Sequence, residues 1–417
     1  MNQPAAALKT LDEALAQLLG HAVPLAGAET ISTFDADRRV LARDAVSALQ
    51  VPALDNSAMD GYALRCADVP AIGAVLPVSQ RIAAGSTGLP LAPGSAARIF
   101  TGAPVPEGAD AVVMQEDCTL LDDGRIRVRV LPTAGLAIRR AGEDVALGAT
   151  VLARGTRLAP AALGMAASIG LAELTVARRP RVALFSTGDE LVMPGEVAPA
   201  QLRPGAIYNS NRFFLRALLL RLGCEVSDLG IVPDRLEATV DALRSAAADH
   251  DLVLTSGGVS VGEEDHVKPA VQALGRLELW QIAMKPGKPF AYGAIAIGAG
   301  GAGGACHFIG LPGNPVSSLV TFLVLVRPFL LKLQGASVLA PAAVQLPAAF
   351  EWKRADRRRE FLRARRNADG ALELFPNQGS GVLTSVAWGD GLVDTPAGQP
   401  IARGETVRFL PFEDLWG

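Results

Sequence analysis

The chain has 417 residues, is 50% hydrophobic and 19% charged, and carries 39 Lys+Arg against 42 Asp+Glu, a net charge of −3. Such length and composition describe a folded protein of roughly three domains and exclude a disordered one. The balanced charge and 5% aromatic content exclude a nucleic-acid coat or a stacking platform, leaving room only for a local anion site.

Cys66, Cys118, Cys224 and Cys306 show no Cys-x-x-Cys spacing, and His21, His250, His266 and His307 form no H-E-x-x-H. Buried reduced thiols are therefore expected, and zinc hydrolysis is not. Asp12 and Glu13 interrupt what would be a targeting segment, so the chain reads as cytoplasmic.

In chain order, Leu8, Leu11, Leu15, Leu18 and Leu19 recur at helical spacing. Thr10 with Glu13 fits a capping box, predicting a helix from about Leu11. Over 53–147, short apolar runs such as Ala111–Met114 and Ile126–Val130 alternate with Gly and Pro and predict a small, mostly β domain. Residues 1–52 and 148–180 read as an N-terminal helix with a linking segment and a segment returning to the body, the latter with a helix over 159–172.

The rhythm changes over 181–332. A strand at Val182–Phe185 is followed by a helix over 209–222 closed by Gly223, and then by a strand at Glu225–Leu229. Asp234 and Glu237 give a cap signal for the next helix, and Asp251–Thr255 is a further strand. Strand and helix in alternation predict crossover units, a mainly parallel sheet, and ligands at the carboxyl ends of its strands. Leu319–Val326 reads as a buried core helix ended by Arg327-Pro328, short of the about 20 residues a bilayer requires, so no membrane is expected. Gly298–Gly304 reads as a flexible turn between strands, 333–347 as a linker, and 340–417 as a C-terminal β domain. The fold class is α/β multidomain: a central three-layer α/β domain between smaller, mostly β domains.

Chemistry concentrates in the loops of the central domain. They are Ser186-Thr187-Gly188-Asp189-Glu190, Ser256-Gly257-Gly258 continuing through Ser260 to Asp265, Lys285-Pro286-Gly287-Lys288-Pro289, and Gly313-Asn314-Pro315 with Ser317 and Ser318. Glycines let backbone N–H groups approach an anion, and the serines sit where a helix begins. Lys285 and Lys288 add compact positive charge, and Asp189, Glu190, Asp234 and Asp265 are hard oxygen donors suited to Mg²⁺. Together they suggest a phosphorylated ligand handled with a divalent metal. No P-loop and no G-x-G-x-x-G fingerprint is present. Elsewhere, Asp55–Ala63 is either an Asx-rich turn or a site. Glu143 and Asp144 either bind metal or pair with Arg139 and Arg140. The basic run Arg354–Arg366 is either a solvated strand face or an oxyanion clamp.

These motifs resemble those of the molybdopterin molybdenumtransferase family, to which the E domain of gephyrin is related. The resemblance rests on D-N-S-A-M-D-G-Y-A at Asp55, S-G-G-V-S-V-G at Ser256, M-K-P-G-K-P at Met284 and P-G-N-P-V-S at Pro312. T-G-A-P-V-P at Thr101, S-T-G-D-E-L at Ser186 and Q-G-S-G at Gln378 support it. It implies a homodimer that takes adenylyl-molybdopterin and molybdate and, with Mg²⁺, inserts molybdenum into the dithiolene and releases AMP. It further implies that Asp189, Glu190, Asp234 and Asp265 serve the nucleotide and metal end, while Asp60, Thr101 and Asp144 reach in from the other subunit. Lys285, Lys288 and Ser317, with Arg359 and Ser380, would hold molybdate. Ser186, Thr187, Gly188, Ser256, Gly257, Gly258, Ser260, Pro289 and Asn314 would line the substrate. The enzyme that adenylylates molybdopterin and downstream molybdoenzymes are the implied protein partners, and no nucleic acid is implied. A lone adenylylating enzyme would need only the central domain, and a non-catalytic scaffold would not need the acidic and lysine loops.

Overall fold

A computed structural model describes residues 8–258, 266–298 and 304–416. The helix Leu11–His21 forms as the capping box predicts: the Thr10 hydroxyl accepts from the Glu13 N–H, and the Glu13 carboxylate accepts from the Thr10 N–H. Beyond it, Ala28–Ser32 pairs antiparallel with Glu173–Ala177, and Ala45–Val46 with Thr150–Leu152. The segments flanking the small β domain thus meet around a core of their own, which includes Leu41, Leu158, Leu174 and Val176. They are a packed unit rather than mere connections. Between them, Gly61–Leu64, Val75–Ile82, Ala96–Ile99, Ala111–Met114, Cys118–Leu120 and Arg125–Val128 build a 6-stranded sheet.

The central sheet also has 6 strands, in the order Glu225–Val232, Arg181–Thr187, Leu252–Ser256, Ala305–Leu311, Pro289–Ala296, Gly275–Gln281. The first four run parallel, and Pro289–Ala296 runs antiparallel to both of its neighbours, so the sheet is mixed. Strand alternation creates its two faces. Val182, Leu184, Leu252, Leu254 and Ile309 point into a core shared with the helices Leu11–His21 and Asn211–Arg221. Ala183, Phe185, Val253 and Phe308 face the opposite core, beneath Leu236–Asp249 and Val267–Leu274. The expected turn over 298–304 lies almost wholly outside the described residues. The helix after Asp234 starts at Leu236, and its cap, Arg235, makes no side-chain cap bond.

The buried helix runs farther than its apolar stretch suggests, over Pro315–Leu333. That is long and apolar enough to cross a membrane by length and composition, but 89% of its apolar window is buried inside the protein. Arg327 does not end it, because its buried guanidinium donates to Leu339 O and Asp414 O, both at 3.0 Å. A π-helical turn at Phe322–Val326 precedes Pro328, whose missing N–H would otherwise interrupt the helix.

The C-terminal sheet has the strand order Met284–Lys285, Arg359–Arg366, Gly391–Thr395, Thr406–Pro411, Val344–Pro347. Its first member comes from the central domain, and this joins the two domains by main-chain pairing.

Candidate functional site

The parallel strands Arg181–Thr187, Glu225–Val232, Leu252–Ser256 and Ala305–Leu311 end at one edge of the central sheet. A cavity of about 580 Å³ opens there. Of the expected site residues, Thr187, Gly188, Glu190, Asp234, Ser256, Gly257, Gly258, Pro289, Asn314 and Ser317 line it. The lining thus brings together two carboxylates, several hydroxyls, glycine backbone and a helix start. Asn314 caps that helix without a side-chain bond. Pro315 brings no N–H and the Val316 N–H is taken by the Ser380 carbonyl, so Ser317, with its hydroxyl and N–H, is what the helix start offers to an anion.

Glycine is required by close approach. A Cβ on Gly258 would lie 2.4 Å from Val267 Cγ2, and one on Gly287 would lie 2.4 Å from Thr321 Oγ1. Gly287, with φ +111°, thereby seats the Lys285–Pro289 loop against the start of the buried helix.

Other expected residues lie elsewhere. Ser186 is buried behind the cavity wall, its Oγ without a partner. Asp189 is exposed, and its carbonyl accepts from Arg203. Neither Lys285 nor Lys288 lines the cavity: both stand on the neighbouring loop, Lys285 paired with Glu360 and Asp356 and Lys288 exposed, while the Ser380 carbonyl accepts from Val316 N at 2.9 Å, at the start of the buried helix. Ser260 and Asp265 lie outside the described residues. Arg359 does not join this cavity. Its guanidinium forks onto Asp394 at 2.7 Å and reaches Asp12 at 3.0 Å, in a separate cavity under the first helix. Strand alternation turns Arg358, not Arg359, toward Lys285, and Arg358 grips Asp356 there.

Asp60, Thr101 and Asp144 are exposed on the N-terminal β domain and do not line the cavity within one chain. Asp60 Oδ1 accepts from both the Thr101 N–H and its hydroxyl at 2.8 Å, and these bonds hold its carboxyl below the usual range. Asp55 pairs with Arg140 at 2.6 Å, so the Asx-rich motif is a cross-linked loop.

Two residues at the site escaped the sequence reading. Asn211 donates from Nδ2 to Ser256 Oγ and to Gly313 O, both at 2.7 Å, tying two cavity loops together. Its only sequence signal is an Asn at the start of a predicted helix. Arg363 is 1% exposed and donates to Ser385 Oγ at 3.0 Å and to Gly379 O at 3.2 Å, which holds the Q-G-S-G loop. Burial pulls its guanidinium down to about 10. The signal for it is a charge between apolar residues in a strand.

All four cysteines are free, and burial raises the thiols of Cys66 and Cys118 to about 11 and of Cys224 and Cys306 to about 12. They are inert as nucleophiles. Among the described residues, no three His, Cys, Asp or Glu side chains converge as a metal cage. Glu190 and Asp234 still suit Mg²⁺, which takes one or two carboxylates and completes its shell with phosphate and water.

Comparison with known proteins agrees with this architecture. Family profiles match over 9–170 (MoeA N-terminal region, domain I and II), 183–332 (probable molybdopterin binding domain) and 345–412 (MoeA C-terminal region, domain IV). The chain is 41% identical over 416 residues to the molybdopterin molybdenumtransferase of Haemophilus influenzae, covering 98% of this chain and 100% of that one. To the Synechococcus elongatus molybdopterin molybdenumtransferase it is 38% identical, with 97% and 98% covered. The solved molybdopterin biosynthesis MoeA protein of Pyrococcus horikoshii OT3 superposes with a TM-score of 0.82 at 27% identity, covering 97% of this chain and 100% of that one. The chain therefore belongs to the molybdopterin molybdenumtransferase, or MoeA, family of enzymes.

Proposed function

We propose that this enzyme inserts molybdenum into molybdopterin, taking adenylyl-molybdopterin and molybdate and releasing AMP. The observation that supports this reading is that one cavity gathers Glu190 and Asp234 with the hydroxyls, glycine backbone and helix start at Ser256–Gly258 and Asn314–Ser317. Such a cavity accepts a phosphoanhydride at one end and a tetrahedral oxyanion at the other. Lys285 and Lys288, on the loop that leads into the cavity-lining Pro289, would supply ammonium groups to the oxyanion, and Ser317 would supply a hydroxyl and an N–H. Glu190 and Asp234, with Asp265, would hold Mg²⁺, which when bound neutralises phosphoanhydride charge.

The second subunit of a homodimer is the proposed source of Asp60, Thr101 and Asp144. This fits their exposure away from the cavity of their own chain. Free thiols in all four positions fit a reducing, cytoplasmic setting.

A single-turnover assay with adenylyl-molybdopterin and Mg²⁺, with and without molybdate, tests the reading. AMP release and active cofactor that both require molybdate are expected. Tight binding of the adenylylated pterin without turnover would make the protein a carrier. ATP consumption with metal-free molybdopterin would make it an adenylyltransferase.

A further inference from the structure

The C-terminal domain meets the Lys285–Pro289 loop, proposed above to serve the oxyanion, through a strand pairing in which Lys285 stands opposite Glu360. Lys285 Nζ lies 3.0 Å from Glu360 Oε1 and 3.5 Å from Asp356 Oδ2. The first is a close ion pair rather than an aligned hydrogen bond. Glu360 is 1% exposed, and its other oxygen accepts from Trp352 Nε1 at 2.9 Å and from the Asp356 N–H at 3.1 Å. The carboxylate is therefore fixed in place. Arg358 forks onto Asp356 at 2.9 and 2.8 Å and keeps its carboxyl well below the usual range.

Two cations and two carboxylates thus form one balanced cluster at the domain junction. A lysine head is a point charge on a flexible four-carbon stem, so something must hold it if it is to present a defined charge. A buried, doubly bonded carboxylate does this, and it needs Lys285 in return, because a buried charge without a partner is costly.

We propose that Glu360, assisted by Asp356, is a positioning residue that holds the Lys285 ammonium for the oxyanion, so that the C-terminal domain sets the enzyme's affinity for molybdate. This rests on the reading of Lys285 as an oxyanion ligand. Neither carboxylate touches the substrate.

The test measures initial rate against molybdate concentration for the full-length enzyme at saturating adenylyl-molybdopterin. Glu360→Gln still accepts from Trp352 but turns an amide N–H toward the ammonium. It is expected to raise half-saturating molybdate roughly tenfold or more while leaving the rate at saturation near wild type. Asp356→Asn, which leaves the buried Glu360 intact, should shift it in the same direction by less, and it carries the test if Glu360→Gln does not fold. The double variant Lys285→Ala/Glu360→Gln should be no worse than Lys285→Ala alone, since Glu360 acts through Lys285.

If Lys285→Ala raises the molybdate requirement but both carboxylate variants leave it unchanged, the proposal fails and the reading of Lys285 stands. If Lys285→Ala changes nothing, that reading fails and takes the proposal with it. Additive losses in the double variant, or a lower saturated rate at unchanged half-saturation, would show a merely structural Glu360 and overturn the proposal.

Discussion

At the scale of single residues, the cavity is held by polar groups whose partners are few and specific. Asn211, 8% exposed, is the sole described bridge from Ser256 Oγ to the Gly313 carbonyl. Asn211→Ala should cost about 1–3 kcal/mol, chiefly by leaving the buried Ser256 hydroxyl without its partner. Thermal unfolding checks this, and weakened molybdopterin binding should accompany it, because both tethered loops line the cavity. Asp356 has a pH signature. Its folded pKa is depressed by Arg358, so its contribution to stability is full above the usual carboxylate value near about 4, shrinks as pH falls below that value, and is gone only below the depressed folded value. Melting measured at pH 7 and pH 3 should show Asp356→Asn below wild type at neutral pH, with the gap closing in acid. The carboxylates and lysines at the site were legible because their chemistry is readable from type alone. Direction was not: Arg358 and Arg359 are adjacent arginines, and only the pleat decides which one faces Lys285.

At the scale of elements, the helix Pro315–Leu333 departs furthest from its sequence signal. An arginine followed by a proline is an ordinary stop. Here the Arg327 guanidinium is 6% exposed and ties the helix to Leu339 and to Asp414 in the C-terminal helix Phe412–Trp416. Arg327→Ala should cost about 2–4 kcal/mol, mostly from the cavity left by a buried side chain, with the loss of two part-buried hydrogen bonds added. Arg327→Met, which keeps more of the volume, should cost less, and denaturant unfolding of both variants separates packing from hydrogen bonding. The first helix, by contrast, was legible to its first residue, because a capping box is a local device that needs only residues three apart.

At the scale of the whole molecule, the residues expected at the site are spread over different domains. Asp60, Thr101 and Asp144 stand on the N-terminal β domain away from the cavity of their own chain. If a second subunit supplies them, mixing two inactive variants, Asp60→Asn and Asp234→Ala, should restore roughly a quarter of wild-type activity, since half the dimers would be mixed and each would hold one intact site. Recovery at zero would place both residues in one chain's site. The sequence by itself determined the strand–helix alternation, the glycine loops, the paired lysines and the family, because periodicity, caps and contiguous motifs are local properties. Only the tertiary structure decided that the segments on either side of the small β domain pair with each other, that Met284–Lys285 extends the C-terminal sheet, and that Glu360 faces Lys285. Those contacts join residues far apart in the chain, and their geometry is set by how the strands and domains pack, which no short window of sequence contains.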